Sequence, residues 1–67
     1  QRVSVNVYNL VGQHVTTLIN NESQVGQFYV KWDGSDKFGK MLPSGIYFVQ
    51  LKTDSGIIKN KKMMFLK

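Results

Sequence analysis

Three valines at alternate positions form the clearest pattern near the start of the chain. Val3, Val5 and Val7 are separated by polar residues, and a period of two places alternate side chains on the same face of a β-strand. The sequence therefore predicts a first strand with one buried face. After a tight connection in which Gly12 is free to take a positive φ, the β-branched run over 14–19 predicts a second strand.

Turn residues divide the middle of the chain into further extended segments. The polar run over 20–23 indicates a turn, after which Phe28, Val30 and Trp32 are predicted to share one face of a third strand. A glycine-containing loop follows and ends at Pro43, the only proline, which cannot donate a hydrogen bond to a neighbouring strand. The next strand is therefore predicted over 45–52. Its inward-facing residues are expected to be Tyr47, Val49 and Leu51.

The last part of the chain is predicted to be a hairpin turn, Asp-Ser-Gly, followed by a final strand over 57–67. The alternation of this strand is poor, because Met63 and Phe65 share one face while Met64 and Leu66 share the other. Either both faces of the strand are covered, or one of them is an exposed apolar strip.

Short strands separated by turns, with no convincing helix, place the chain in the all-β class. We expect five to seven strands in an antiparallel sandwich or barrel, and a single domain over residues 1–67. A chain of this length buries only about 60% of its unfolded surface, so its stability is expected to be marginal. No apolar run approaches the roughly 20 residues of a membrane-spanning helix, and we interpret the chain as a soluble piece of a longer protein.

Composition excludes some chemistry and leaves one question open. The absence of cysteine excludes thiol catalysis and thiolate metal sites. The formal net charge is +5, and Lys59, Lys61, Lys62 and Lys67 crowd into the last nine residues. This positive segment either attracts a phosphate-rich partner or protects a solvated edge strand, and edge protection is the favoured interpretation.

Asp33 and Asp36 form the only close carboxylate pair in the chain. Two carboxylates and one hydroxyl beside two lysines fall short of the six or more oxygens that calcium takes. We favour a structural role, in which Asp33 accepts backbone N–H bonds while Gly34 and Gly39 adopt conformations denied to other residues. The expectation is a structural loop without metal or cofactor.

No catalytic set can be assembled from the remaining polar residues. His14 is the sole histidine and has no acidic or thiol neighbour in the sequence, and Ser44 has no strand-to-helix elbow around it. Aromatic and lysine residues alternate over 28–32, as in platforms that bind single-stranded nucleic acid. Because Phe28, Val30 and Trp32 share the face needed for a core, we do not expect nucleic-acid binding. The missing catalytic set disfavours an independent enzyme.

Five landmarks occur in order along nearly the whole chain. They are Val7–Gln13 with Val15, then Gly26, then Trp32-Asp33-Gly34 with Asp36 and Gly39, then Ser44–Phe48, then the basic-to-apolar run ending at Lys67. Together they resemble the small immunoglobulin-like domain first described in the flagellar hook-assembly scaffolding protein. Relatives of that domain serve as C-terminal sorting domains in type IX secretion. The resemblance implies an immunoglobulin-like or fibronectin-like β-sandwich that lacks the disulfide of antibody domains.

The sorting relatives imply the main functional expectation. It is a non-catalytic C-terminal domain that targets a larger protein for outer-membrane export and cell-surface attachment. The implied partners are the outer-membrane secretion machinery, a sortase-like component and the upstream domain of the parent protein, without membrane insertion. The implied location is the exterior or surface of a Gram-negative bacterium, reached through the periplasm. Residues at the corresponding recognition positions are Gly45, Tyr47, Lys61, Lys62, Met63, Phe65 and Lys67.

The loop gives weight to a second functional expectation. The run Trp32-Asp33-Gly34, with Asp36 and Gly39, is more typical of the hook-scaffold relative than of many sorting domains. The alternative function is therefore a structural immunoglobulin-like spacer or a flagellar hook-scaffold module.

Overall fold

A computed structural model describes residues 1–26 and 29–66, and four antiparallel strands make up its only sheet there. The strands are β1 (Arg2–Tyr8), β2 (His14–Ser23), β3 (Gly45–Thr53) and β4 (Ile58–Phe65). Their order across the sheet is β2-β1-β3-β4. The described residues contain no helix, so none of them forms a helix able to cross a membrane. The predicted all-β, antiparallel class is confirmed.

The valines of β1 form the centre of the core, as their alternation predicts. Val3, Val5 and Val7 are all buried, and Val7 has no exposed surface at all. β1 pairs with β3 in an unbroken register that sets Val7 beside Val49 and Val5 beside Leu51. Both β3 residues pack against the β1 valines, so the predicted inward face of β3 is confirmed.

The core has two parts, which we name by their side chains. In the aliphatic half, Val3, Val5 and Ile19 are buried, with Leu18, Val49 and Leu51 packed against them. In the aromatic half, Val7, Val15 and Tyr47 are buried, and the partly buried side chains packed on them include Trp32, Leu42, Met63 and Phe65. Two of these, Trp32 and Leu42, come from the segment between β2 and β3, so this segment supplies a second layer over the aromatic half.

The number of strands is lower than predicted, since the described residues contain four rather than five to seven. The predicted third strand is wrong where it can be examined: Phe28 lies outside the described residues, and 29–32 belong to no strand. Trp32 is held instead by a hydrogen bond from its Nε1 to the Ser35 carbonyl oxygen, 2.9 Å long. Trp32 packs on the core and Tyr29 is exposed, as predicted, whereas Val30, which was expected to face inward, is 37% exposed.

The predicted turn over 20–23 is also wrong, because these residues continue β2. Ser23 pairs with Arg2 and Glu22 pairs with Val3. The pairing of β1 with β2 is interrupted by three register shifts, and Asn21 takes a positive φ of 53° while its N–H donates to Ser4 Oγ. Bulges of this kind let a polar, turn-forming sequence remain within a strand.

The two short connections form as predicted. At the β1–β2 connection, Asn9 Oδ1 accepts the N–H groups of Val11 and Gln13, and Gly12 takes a φ of 86°. At the β3–β4 hairpin, the N–H of Gly56 donates to the Thr53 carbonyl oxygen. Each connection is therefore closed by its own local hydrogen bonds.

Candidate recognition strand and structural loop

Asp33 shapes the first turn of the loop between β2 and β3. Its Oδ1 accepts the backbone N–H of Ser35 at 3.0 Å and the Ser35 hydroxyl at 2.5 Å. The Ser35 hydroxyl, followed by the Ser35 N–H, lowers the pKa of the Asp33 carboxyl, because both hydrogen bonds favour its charged form. The carboxylate therefore acts as a turn-forming acceptor.

Asp36 organises the second turn of the loop in the same manner. Its Oδ1 accepts the N–H groups of Phe38 at 2.9 Å and Lys40 at 3.0 Å. Its own N–H donates to the Lys40 carbonyl oxygen, and the N–H of Lys37 donates to the carbonyl oxygen of Val15 in β2. One carboxylate thus closes the turn while the neighbouring backbone ties the loop to the sheet.

These contacts bear on the calcium hypothesis considered above. One oxygen of each carboxylate is already occupied by backbone N–H groups. Among residues 1–26 and 29–66, no three His, Cys, Asp or Glu side chains come close enough to hold a metal ion together. The observed chemistry of Asp33 and Asp36 is therefore the shaping of turns.

Three aromatic rings meet where the loop covers the sheet. The centroid of Trp32 lies 5.1 Å from that of Tyr47 and 5.3 Å from that of Phe65, and Tyr47 is 6.5 Å from Phe65. The Tyr47 hydroxyl donates to the Pro43 carbonyl oxygen at 2.7 Å. Inclined rings at these separations contribute about 0.5–1.5 kcal/mol per pair beyond the area they bury. The cluster joins the loop, β3 and β4 into one packed unit.

Gly34 allows this unit to close. It is buried, its φ is 86°, and a Cβ added to it would lie 2.1 Å from Phe65 Cζ. No carbon atom fits at that distance, so any side chain at this position would displace the Phe65 ring or the loop. The requirement for glycine here comes from contact with β4, as well as from the backbone conformation.

The seven candidate recognition residues fall into two groups. Tyr47 is buried, and Met63 and Phe65 pack beside it on the aromatic half of the core. Phe65 pairs with Gly45, and Met63 pairs with Tyr47, so these four residues are neighbours across β3 and β4. Lys61 and Lys62 are exposed, whereas Lys67 lies outside the described residues. Lys61 and Lys62 are thus accessible to a partner, and the three side chains of the first group largely serve the core.

The sequence model of one family, the FlgD Ig-like domain, matches residues 1–56. The chain belongs to this family. The matched part holds β1, β2, the structural loop and β3, and the family is one of non-catalytic structural domains. No curated protein and no solved structure matches the chain.

The Ig-like domain exposes apolar residues on β4, and Leu66 directly after it, that were not assigned to a site from the sequence. Met64 and Leu66 are 66% and 72% exposed, and Ile58 is 55% exposed. Of the two alternatives for the last strand, the exposed apolar strip is therefore the one observed. The signal was present in the sequence, because Met64 and Leu66 alternate with the core residues Met63 and Phe65.

A groove on the aliphatic half of the Ig-like domain was not foreseen. It has a volume of about 420 Å³. The described residues that line it are Val5, Val30, Val49, Leu51, Lys59, Asn60 and Lys61. Lys59 and Lys61 alternate with Met63 and Phe65 along β4, so continuing the alternation backwards from Phe65 would have placed both lysines on the core side of the sheet.

His14 lies apart from the loop and the recognition strand. Its Nε2 is 3.2 Å from Asn6 Oδ1 and 3.0 Å from Thr17 Oγ1, and Thr17 Oγ1 also donates to Asn6 Oδ1. Both contacts are made by the same ring nitrogen, whereas the histidine of a hydrolytic triad contacts its nucleophile and its orienting group through opposite nitrogens. These contacts support a structural role for His14 on the sheet.

Proposed function

We infer that this Ig-like domain is a non-catalytic structural module of a larger protein, acting as a spacer or scaffold segment. The observation that carries this proposal is the close contact between Gly34 and Phe65. This contact supports a structural use of the most distinctive stretch of the sequence, because it packs the loop against β4.

The chemistry of the loop supports the same function. Asp33 and Asp36 direct carboxylate oxygens to backbone N–H groups, and Trp32 directs its ring to the core and its Nε1 to Ser35. A reactive site needs polar groups that converge on a space where a substrate can lie. In this loop the polar groups converge on its own backbone, which favours a structural module.

A domain exchange in the parent protein tests the structural role. Residues 1–67 would be replaced by an unrelated immunoglobulin-like domain with similar spacing between its ends. A spacer depends on fold and length, so the exchanged protein is expected to retain its assembly and activity. A matched variant that carries Gly34→Val should lose them through unfolding. Loss of function in a well-folded exchanged protein would contradict the spacer role.

The surface of β4 favours a second candidate function, the type IX sorting address. Lys61 and Lys62 are exposed next to Met64, so one short segment offers both charge and apolar surface to a receptor. In this second proposal the receptor is the outer-membrane secretion machinery of a Gram-negative bacterium. A sortase-like component then attaches the preceding protein to the cell surface.

An export assay tests the sorting proposal. Residues 1–67 would be fused behind an inert reporter that reaches the periplasm of a host with type IX machinery. The sorting role predicts that the reporter reaches the surface or the medium, and that Lys61→Glu with Lys62→Glu blocks export without unfolding, since exposed charges affect association more than stability. A reporter that stays in the periplasm would exclude sorting and leave the structural role in place.

A further inference from the structure

The two edges of the sheet differ in how well they are suited to pair with another strand. β2 forms one edge, and its pairing with β1 is broken by three register shifts. β4 forms the other edge, and all eight of its residues pair with β3 in an unbroken register. Bulges twist an edge away from further pairing, whereas a regular edge presents its free N–H and C=O groups in line. The edge of β4 is thus the better template.

The lysines of β4 have no acidic neighbour within the sheet. Lys59 is opposite Leu51, Lys61 is opposite Val49, and Lys62 is opposite Phe48. β4 itself contains no Asp or Glu. On its other side lies the open edge of the sheet, so a cross-strand carboxylate for these lysines can come only from a strand added there.

We propose that β4 accepts an extended acidic segment of a partner protein as a fifth strand. Main-chain hydrogen bonds to the free edge supply the pairing, and the side chains of the partner determine the specificity. The added strand carries carboxylates opposite Lys59, Lys61 and Lys62. It carries apolar side chains opposite Met63 and Phe65. The partner is therefore recognised by an acidic end and an apolar end within one extended segment.

The groove on the aliphatic half adds to this recognition. Its floor is apolar, formed by Val5, Val49 and Leu51, and Lys59 and Lys61 stand at its β4 side. The floor lies on β1 and β3, on the far side of β4 from an added strand. The methylene groups of the two lysines can cover this floor while their ammonium groups stay in solvent, where carboxylates of the added strand can pair with them.

Charge argues against a second copy of this chain as the added strand. Pairing two β4 strands would bring three lysines from each chain together without any acidic residue between them, and like charges across a strand pair are destabilising. The same lysines that would repel a copy of β4 attract an acidic strand. The predicted pairing depends on neither the spacer role nor the sorting role.

A peptide designed from the register of β4 tests the proposal. The peptide is Val-Thr-Val-Glu-Glu-Thr-Glu-Val, written so that its first residue lies opposite Phe65 and its last lies opposite Ile58 in an antiparallel pair. It would be titrated into the 15N-labelled chain, with the same peptide carrying lysine in place of each glutamate as a control. We expect the acidic peptide to shift β4 amide signals more than β2 signals, and to bind about tenfold or more tightly than the basic peptide.

Charge exchange shows which lysines are responsible. The triple variant Lys59→Glu, Lys61→Glu, Lys62→Glu should bind the acidic peptide about tenfold more weakly than the parent chain does. It should bind the basic peptide instead. A matched triple variant with the same total charge, Lys37→Glu, Lys40→Glu, Lys52→Glu, should keep its preference for the acidic peptide. Circular dichroism would check that both variants fold. Equal loss of binding in the two variants would overturn the proposal, because the attraction would then be a property of the total charge.

Main-chain pairing has its own test. Two further acidic peptides would carry N-methyl groups on alternate residues, one on the odd positions and one on the even positions. In a strand pair, alternate N–H groups point toward the neighbour, so one peptide should lose about tenfold or more in affinity while the other binds nearly as before. Equal binding by the two N-methylated peptides would overturn strand addition.

Discussion

The two halves of the core are built on the same central strand but are covered differently. Over the aromatic half, Trp32 and Leu42 from the loop pack on Val7 and Tyr47. Beside the aliphatic half an open groove of about 420 Å³ remains along β3 and β4. The loop landmarks of the family thus serve one end of the sheet, where they join the loop to β4, and the other end keeps an open groove with an apolar floor.

This difference indicates where the stability of the domain resides. In the aromatic half, three rings, two turn-forming carboxylates and one obligatory glycine depend on one another. In the aliphatic half, small branched side chains pack within the sheet and need no second layer of comparable size. Changes in the aromatic half should therefore be far more damaging than changes of similar size around the groove.

Removing most of β4 should have the largest effect of all. Truncation after Lys59 deletes Met63 and Phe65 from the aromatic half, and loss of buried side chains of this size costs about 2–5 kcal/mol each. Since a domain this small has only a few kcal/mol of stability, the truncated chain should show no cooperative thermal transition by circular dichroism. An unchanged transition would mean that β4 is peripheral to the core.

A pair of substitutions within one segment compares the two halves directly. Trp32→Ala removes the ring that covers the aromatic half and should cost about 3 kcal/mol in the free energy of unfolding. Val30→Ala, two residues earlier beside the groove, should cost less than about 1 kcal/mol because Val30 is 37% exposed. Urea unfolding of both variants measures the difference, and similar losses would remove the distinction between the halves.

The sheet could be predicted from the sequence wherever one face is buried and the other is polar. The valine alternation located β1, and the range predicted for β3, 45–52, differs from Gly45–Thr53 by one residue. The continuation of β2 over 20–23 could not be predicted, because Asn, Glu and Ser favour turns locally. Their strand conformation depends on pairing with Arg2 and Val3, which are distant in sequence.

The loop shows a second limit of prediction from the sequence. Strand-like alternation correctly indicated that Trp32 faces inward, but Val30 is 37% exposed, and alternation alone does not provide a neighbouring strand. The close approach of Gly34 to Phe65 joins residues 31 positions apart in the chain. Sequence reasoning identified both as important and assigned them to separate groups, since only the folded sheet brings them together.

Loss of the second turn of the loop should have an intermediate effect. Asp36→Ala leaves the N–H groups of Phe38 and Lys40 without their acceptor. Because both groups are exposed and can bond to water instead, this should cost about 0.5–1.5 kcal/mol. Asp54→Ala is the matched control, because Asp54 is exposed in the hairpin and its carboxylate accepts no hydrogen bond from the residues that the structure describes. Its cost should lie within about 0.5 kcal/mol of zero. Equal losses in thermal unfolding would show that Asp36 shapes no turn.

The smallest effect should be a pH dependence from Asp33. Its pKa in the folded chain lies below the ordinary value of 3.8, so its stabilising contribution is present above pH 3.8 and is lost as the pH falls through the folded pKa. Asp33→Asn should therefore be less stable than the parent chain at neutral pH, and the difference should vanish in stronger acid. Ser35→Ala should bring the Asp33 pKa back toward 3.8 in an NMR titration; an unchanged pKa would exclude Ser35 as the cause.

The most direct test of the account compares two glycines of the same loop. Gly34 and Gly39 have nearly equal φ values, 86° and 83°, but an added Cβ meets Phe65 at Gly34 and no atom within 4 Å at Gly39. Alanine at either position carries the same backbone strain of about 1–2 kcal/mol. We predict that Gly34→Ala lowers the free energy of unfolding by about 1–3 kcal/mol more than Gly39→Ala, because only the first displaces the Phe65 ring. Equal losses would contradict the claim that the loop and β4 form one packed unit.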